Sequence, residues 1–145
     1  ASSPLLGKSV RIYEPVIAAV AKADPALWTI DAHCYTTANI ELLLAFEREL
    51  FFALDSPTQT LTTKIILGIF GSVPAFDSRF AKGFPGVHSF CKPALAKIGR
   101  FCSDHQATIE ECRLHTIDFG TGEPTHRRYT RAKVIDMIFF IEGGK

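Results

Sequence analysis

The sequence predicts an all-α fold, a single compact domain over residues 1–145 with six or seven helices. Three observations predict it. Apolar residues recur at helical spacing through the middle of the chain. The runs open on capping residues or proline and close on glycine. The chain is 145 residues and 16.0 kDa, with 47% apolar and 21% charged residues, which suits one hydrophobic core. That composition excludes a disordered tail, a collagen-like fibre and a disulfide scaffold.

Residues 1–13 show little periodicity. Pro15 suits a first helical turn, where its missing N–H costs nothing, and a short helix is expected to about Ala23. It stops at Asp24-Pro25, because the residue before proline is pushed out of the helical region. Ala26 to Tyr35, with Trp28, Ile30 and His33, reads as an irregular connection that still packs.

The clearest helix runs from Asn39 to Leu54, with Thr37 or Asn39 as its cap and Ile40, Leu43, Leu44, Leu50, Phe51 and Leu54 at helical spacing. Leu42 and Phe46 widen its apolar surface, so it reads as a central helix packed on several sides. Ser56-Pro57-Thr58-Gln59 reads as a capping box, followed by Leu61, Ile65, Ile66, Ile69 and Phe70 and a left-handed stop at Gly71. Pro74 restarts a short helix through Phe76 and Phe80, closed by Gly83, and Gly83 to Gly86 is a loop. Pro93 opens a helix whose seam is Cys91, Leu95, Ile98, Cys102, His105, Ile109 and Cys112, with a break near Ser103 or Thr108. Asp118 to Thr125 is a loop. Thr125 to Glu142 is expected as a last helix ended by Gly143, although Val134 to Ile141 is also strand-like. The core is expected at Leu43, Leu44, Phe51, Ile65, Ile69, Phe76, Leu95, Ile98, Ile138 and Ile141.

Sixteen basic and fifteen acidic residues give a net charge of +1, so steering by the whole protein is not expected. The halves differ: residues 1–72 carry five basic and seven acidic groups, and residues 73–145 carry eleven and eight. A nucleic-acid surface would therefore lie in the second half. The longest uncharged stretch, Ile65 to Phe76, has twelve residues and contains Pro74, short of the roughly 20 that a membrane-spanning helix needs. No membrane segment is expected. No stretch reads as a secretory signal and no C-x-x-C occurs, so four free thiols in a cytoplasmic protein are expected. The opening at Ala1 without methionine fits a trimmed chain or a fragment.

Three features bear on function. His88 and Cys91, Cys102 and His105, and Cys112 and His115 are spaced as zinc ligands on one helix face would be. The cysteines also occupy the apolar seam and read as core thiols, so no metal ligand is assigned; a zinc-binding helical domain is the second alternative. His126 to Lys133 holds Arg127, Arg128, Arg131 and Lys133 without an acid. On a helix Arg127 and Arg131 would share a face, as would Arg128 and Arg131. Cations at a helix start oppose the macrodipole, so they need an acid within the fold or a phosphate outside it.

The third feature is Leu61 to Phe80, in which an apolar helix runs into a Gly/Pro turn and Asp77 follows. This stretch of about 20 residues resembles the part of helix-hairpin-helix DNA glycosylases where a helix leads through a Val-Pro-type turn to the catalytic aspartate. The resemblance implies a DNA-associated helical module, with or without catalysis. Asp77 is then the residue at the mouth of the base pocket that stabilises positive charge on the sugar after the base is flipped out. Asp55 to Thr60 replaces that family's glycine-rich hairpin, and Lys64 lies inside the following helix rather than at a hairpin's end. On the residues alone, Asp77 is a first-turn acid stabilised by the helix dipole and paired with Arg79 or Lys82. The alternative function is a protein-interaction or oligomerisation domain, a homo-oligomer formed through the wide apolar face of the 39–54 helix. No cofactor is implied.

Overall fold

Capping chemistry sets most element boundaries in the computed structural model, which describes residues 9–145. Helix α1 (Glu14–Ala21) carries Pro15 in its first turn. Asp24 then caps a short 3-10 turn (Pro25–Trp28), its carboxylate accepting from the Ala26 amide at 2.8 Å. Asp31 opens a second such turn (Ala32–Cys34). Helix α2 (Thr37–Ala53) is capped by Thr36, one residue before Thr37 and three before Asn39, the expected candidates.

Helix α3 (Gln59–Phe70) is capped by Thr58 and not by Ser56. Asp55 and Ser56 both have positive φ, so the turn between helices bends there and delays the helix by two residues. Gly71 ends α3 with φ 67°, the left-handed stop that its glycine permits. The helix expected from Pro74 begins later, as α4 (Ser78–Gly83), with Asp77 as its cap. The Pro93 seam breaks at His105 into α5 (Lys92–Asp104) and α6 (Gln106–Glu111).

The last segment corrects the sequence reading. Thr125 to Glu142 is not one helix. Pro124–Arg128 is a strand, β2, paired antiparallel with β1 (His115–Ile117), and α7 (Arg131–Glu142) starts from a Thr130 cap. Local propensity lost to pairing here. The Thr116 and Thr125 hydroxyls bond at 2.5 Å across the strands, and Pro124, which cannot donate to a ladder, stands at the strand's first position. The fold is otherwise helical, with seven α-helices among the described residues.

Helix α2 is central, as its apolar breadth implies, and packs on α1, α3 and α5. Its buried stripe is Ile40, Leu43, Phe46 and Leu50. Phe46 is thus core rather than spare surface, and Leu42 is half-buried against the same cluster. Phe51, one position round the helix from Leu50, is 39% exposed, and Ile141 near the end of α7 is 62% exposed. Both were expected in the core. Leu44, Ile65, Ile69 and Ile138 are half-buried; Leu43, Phe76, Leu95 and Ile98 are fully inside. An aromatic group joins α4 to α7, with Phe84 stacked on Phe139 at 4.1 Å between ring centres.

Helices α4 and α7 meet backbone to backbone. A Cβ at Gly83 would collide with the Phe139 carbonyl, and one at Gly143 with the Arg79 carbonyl. The two glycines permit the approach that holds the Asp77 cap beside α7. No helix among the described residues is long and apolar enough to cross a membrane.

Candidate functional site

The turn from Gly71 to Asp77 builds the site. Ser72 to Phe76 are five consecutive buried residues without regular structure. A buried loop must find partners for its backbone groups elsewhere, and side chains from distant elements provide them. The Thr130 hydroxyl donates to the Gly71 carbonyl and the Tyr35 hydroxyl to that of Ser72, each at 2.6 Å. The Ala75 amide donates to Asp136 at 2.9 Å, and the Phe76 amide to the Thr63 hydroxyl at 3.0 Å. Thr60 donates to the Phe76 carbonyl. Burial first, then the negative charge of Asp31, pushes the Tyr35 phenol well above its ordinary 10.0.

Asp77 emerges from this turn as the α4 cap, accepting from the Phe80 amide at 2.9 Å. Its other oxygen lies 3.5 Å from the Lys64 ammonium on α3. Lys64 is therefore the partner, in place of the expected Arg79 or Lys82. A second pair faces it from α7, with Lys133 at 2.9 Å from Asp136. The two pairs ring a cavity of about 400 Å³ with an apolar floor that includes Leu67, Met137 and Ile141.

Beyond Lys64 and Lys133 the cavity continues into a groove of about 570 Å³ between α3, the start of α7 and the β-hairpin. Arg127, Arg128, Lys64 and Lys133 line it together with Trp28 and Thr130, and no carboxylate does. The groove is cationic, and the cavity beside it holds both signs.

The four basic residues read from the sequence are not one helical face. Arg127 and Arg128 lie on β2, and Arg131 and Lys133 on α7. Arg128 donates to the carbonyls of Glu110 and Arg113, satisfying the end of α6. Arg131 binds Glu110 at 2.6 Å and Asp31 at 3.3 Å and is 19% exposed. Arg127 is exposed and has no ion-pair partner among the described residues.

Asp31, which no local sequence signal marks, also belongs to the charge network at the start of α7. It is buried, and its carboxylate accepts from the amides of Ala32, Arg131 and Ala132. It thus caps α7 from a hundred residues away, and it is the acid that Arg131 needs at a helix start. Burial works against the charged form of Glu110, but the Arg113 hydrogen bond and the charges of Arg113, Arg131 and Arg128 outweigh it and lower its pKa. A cation cluster without an adjacent acid was the available signal that such distant partners exist.

All four cysteines are free. Burial pushes the Cys102 thiol up to about 11. Among the described residues no group of three or more His, Cys, Asp or Glu is placed to hold a metal ion. The chain matches no protein-family model, no curated protein and no solved structure.

Proposed function

We propose that the cationic groove binds the phosphate backbone of DNA and presents a nucleotide to the cavity beside it. The observation that carries this reading is the groove lining: four cationic side chains and no carboxylate, opening past Lys64 and Lys133 onto Asp77. Arg127 is the uncommitted cation and contacts phosphate directly. Lys64 is half-exposed, and a pair so placed is worth only about 0–1 kcal/mol, so an entering phosphate competes for it with Asp77. Lys133 keeps its bond to the buried Asp136 and adds its charge to the groove. Arg128 and Arg131 hold the hairpin and the α7 start in place, with their backbones and charge adding to the field.

Asp77 is the catalytic candidate if the module releases a base. Its carboxylate would stabilise the oxocarbenium-like charge on a sugar held at the cavity mouth, the role that the glycosylase resemblance implies. A cytoplasmic location accords with this reading.

Anisotropy of a fluorescent DNA, titrated over salt, tests it. Affinity should fall steeply with salt, and Arg127→Ala should lower the slope by about one. Asp77→Asn keeps a capping side chain, so binding should persist while any base release disappears. Absence of binding at low salt would remove the proposal. The interaction-domain reading would then gain from Phe52, 81% exposed beside Phe51 at the end of α2; light scattering would show the homo-oligomer it requires.

A further inference from the structure

Trp28 is the only tryptophan in the chain, and 57% of it is exposed. Tryptophan is highly buried on average, since its ring carries a large apolar area. Here it lines the cationic groove together with Arg127, Lys64 and Lys133. Its position is fixed rather than loose. Leu27 beside it is buried, Asp24 caps the turn that carries it, and Phe70 meets the indole at 73° with ring centres 4.6 Å apart. The protein thus holds a largely exposed indole, packed against Phe70, in the wall of a groove that no acid lines.

A polyanion with accessible π faces matches both features. In a duplex the base faces are covered by stacking, and a residue in a concave wall does not reach them. In a single strand every base offers a face, and a basic groove with an aromatic platform is the arrangement that binds it without sequence preference. Building on the DNA-binding reading above, we infer that the groove takes single-stranded DNA, or the unpaired stretch of a duplex, with Trp28 stacking on one base while Arg127, Lys64 and Lys133 follow the phosphates.

The lone tryptophan makes the test specific, because its fluorescence reports this position alone. Three probes are compared: an oligothymidylate, a duplex of the same length, and inorganic polyphosphate, which has charge but no bases. The single strand should bind about tenfold more tightly than the duplex and quench the tryptophan, whereas polyphosphate should bind without quenching. By anisotropy of a labelled strand, Trp28→Ala should lose about tenfold in affinity for single-stranded DNA and nothing for polyphosphate. Trp28→Phe, which retains a ring against Phe70, should fall between, and wild-type quenching needs no variant to fold. Single-stranded DNA that binds without quenching, and binds Trp28→Ala as tightly as wild type, would overturn the stacking role and leave the DNA groove standing. Failure of all three probes to bind would overturn both.

Discussion

Two glycine-bearing connections in this chain, Gly71 to Phe76 and Asp118 to Glu123, look alike on paper and are held in opposite ways. The second is exposed and organises itself. The Asp118 carboxylate accepts from the amides of Gly120 and Thr121 and from the Thr121 hydroxyl, all within three residues, and Gly122 supplies a positive φ. The Thr121 amide, then its hydroxyl and the Gly120 amide, lower the Asp118 pKa. The first is buried and depends on Tyr35, Thr60, Thr63, Thr130 and Asp136, up to 61 residues away. A surface loop can rely on its own side chains and on water. A buried one must be satisfied by the fold around it, so it falls when that fold is altered.

The contrast is broken most strongly at Asp136. Asp136→Ala leaves the Ala75 amide and the Lys133 charge without their partner in a largely buried setting. Removing one member of such a pair costs about 3–5 kcal/mol, and urea unfolding should show a loss of that order. The same variant should disturb the Asp77 cap, since the turn it anchors ends there. A mild effect, within 1 kcal/mol or so, would mean that the turn holds itself, like the hairpin.

Tyr35 sharpens the comparison by an intermediate amount. Tyr35→Phe removes the donor to the Ser72 carbonyl and should cost about 1–3 kcal/mol. The pH dependence gives a second readout. The phenol's folded pKa lies above its unfolded value of 10.0, so its contribution is fully present below pH 10.0 and is lost as pH rises from there toward the raised value. Urea midpoints measured on either side of pH 10.0 should fall for wild type, and the fall should be smaller in Tyr35→Phe.

The smallest expected effect is at Asp118. Asp118→Ala should loosen the hairpin tip, seen as faster amide exchange at Gly120 and Thr121, while the global unfolding midpoint stays where it is. A large shift in that midpoint would show that the tip is tied to the core.

The same distinction explains how much of the site was legible. Asp77 and the basic stretch can be found from the sequence because their signals are local: an acid after a Gly/Pro turn, and four cations without an acid. Their partners cannot. Asp31 and Glu110 reach Arg131, and Lys64 reaches Asp77, all through three-dimensional proximity. Trp28 lies in a connection whose sequence says only that it packs, and the groove it lines is formed by elements far apart in the chain.

By itself the sequence determined the helical class, the central place of α2 and the glycine stop of α3, because period and caps act over a few residues and need no partner. The strand at Pro124–Arg128, the buried course of Ser72 to Phe76 and the joining of Lys64, Lys133, Arg127 and Trp28 in one groove were decided only by tertiary structure. Strand pairing, backbone satisfaction in a dry interior and the gathering of charge are properties of neighbours, and chain order does not say who the neighbours are.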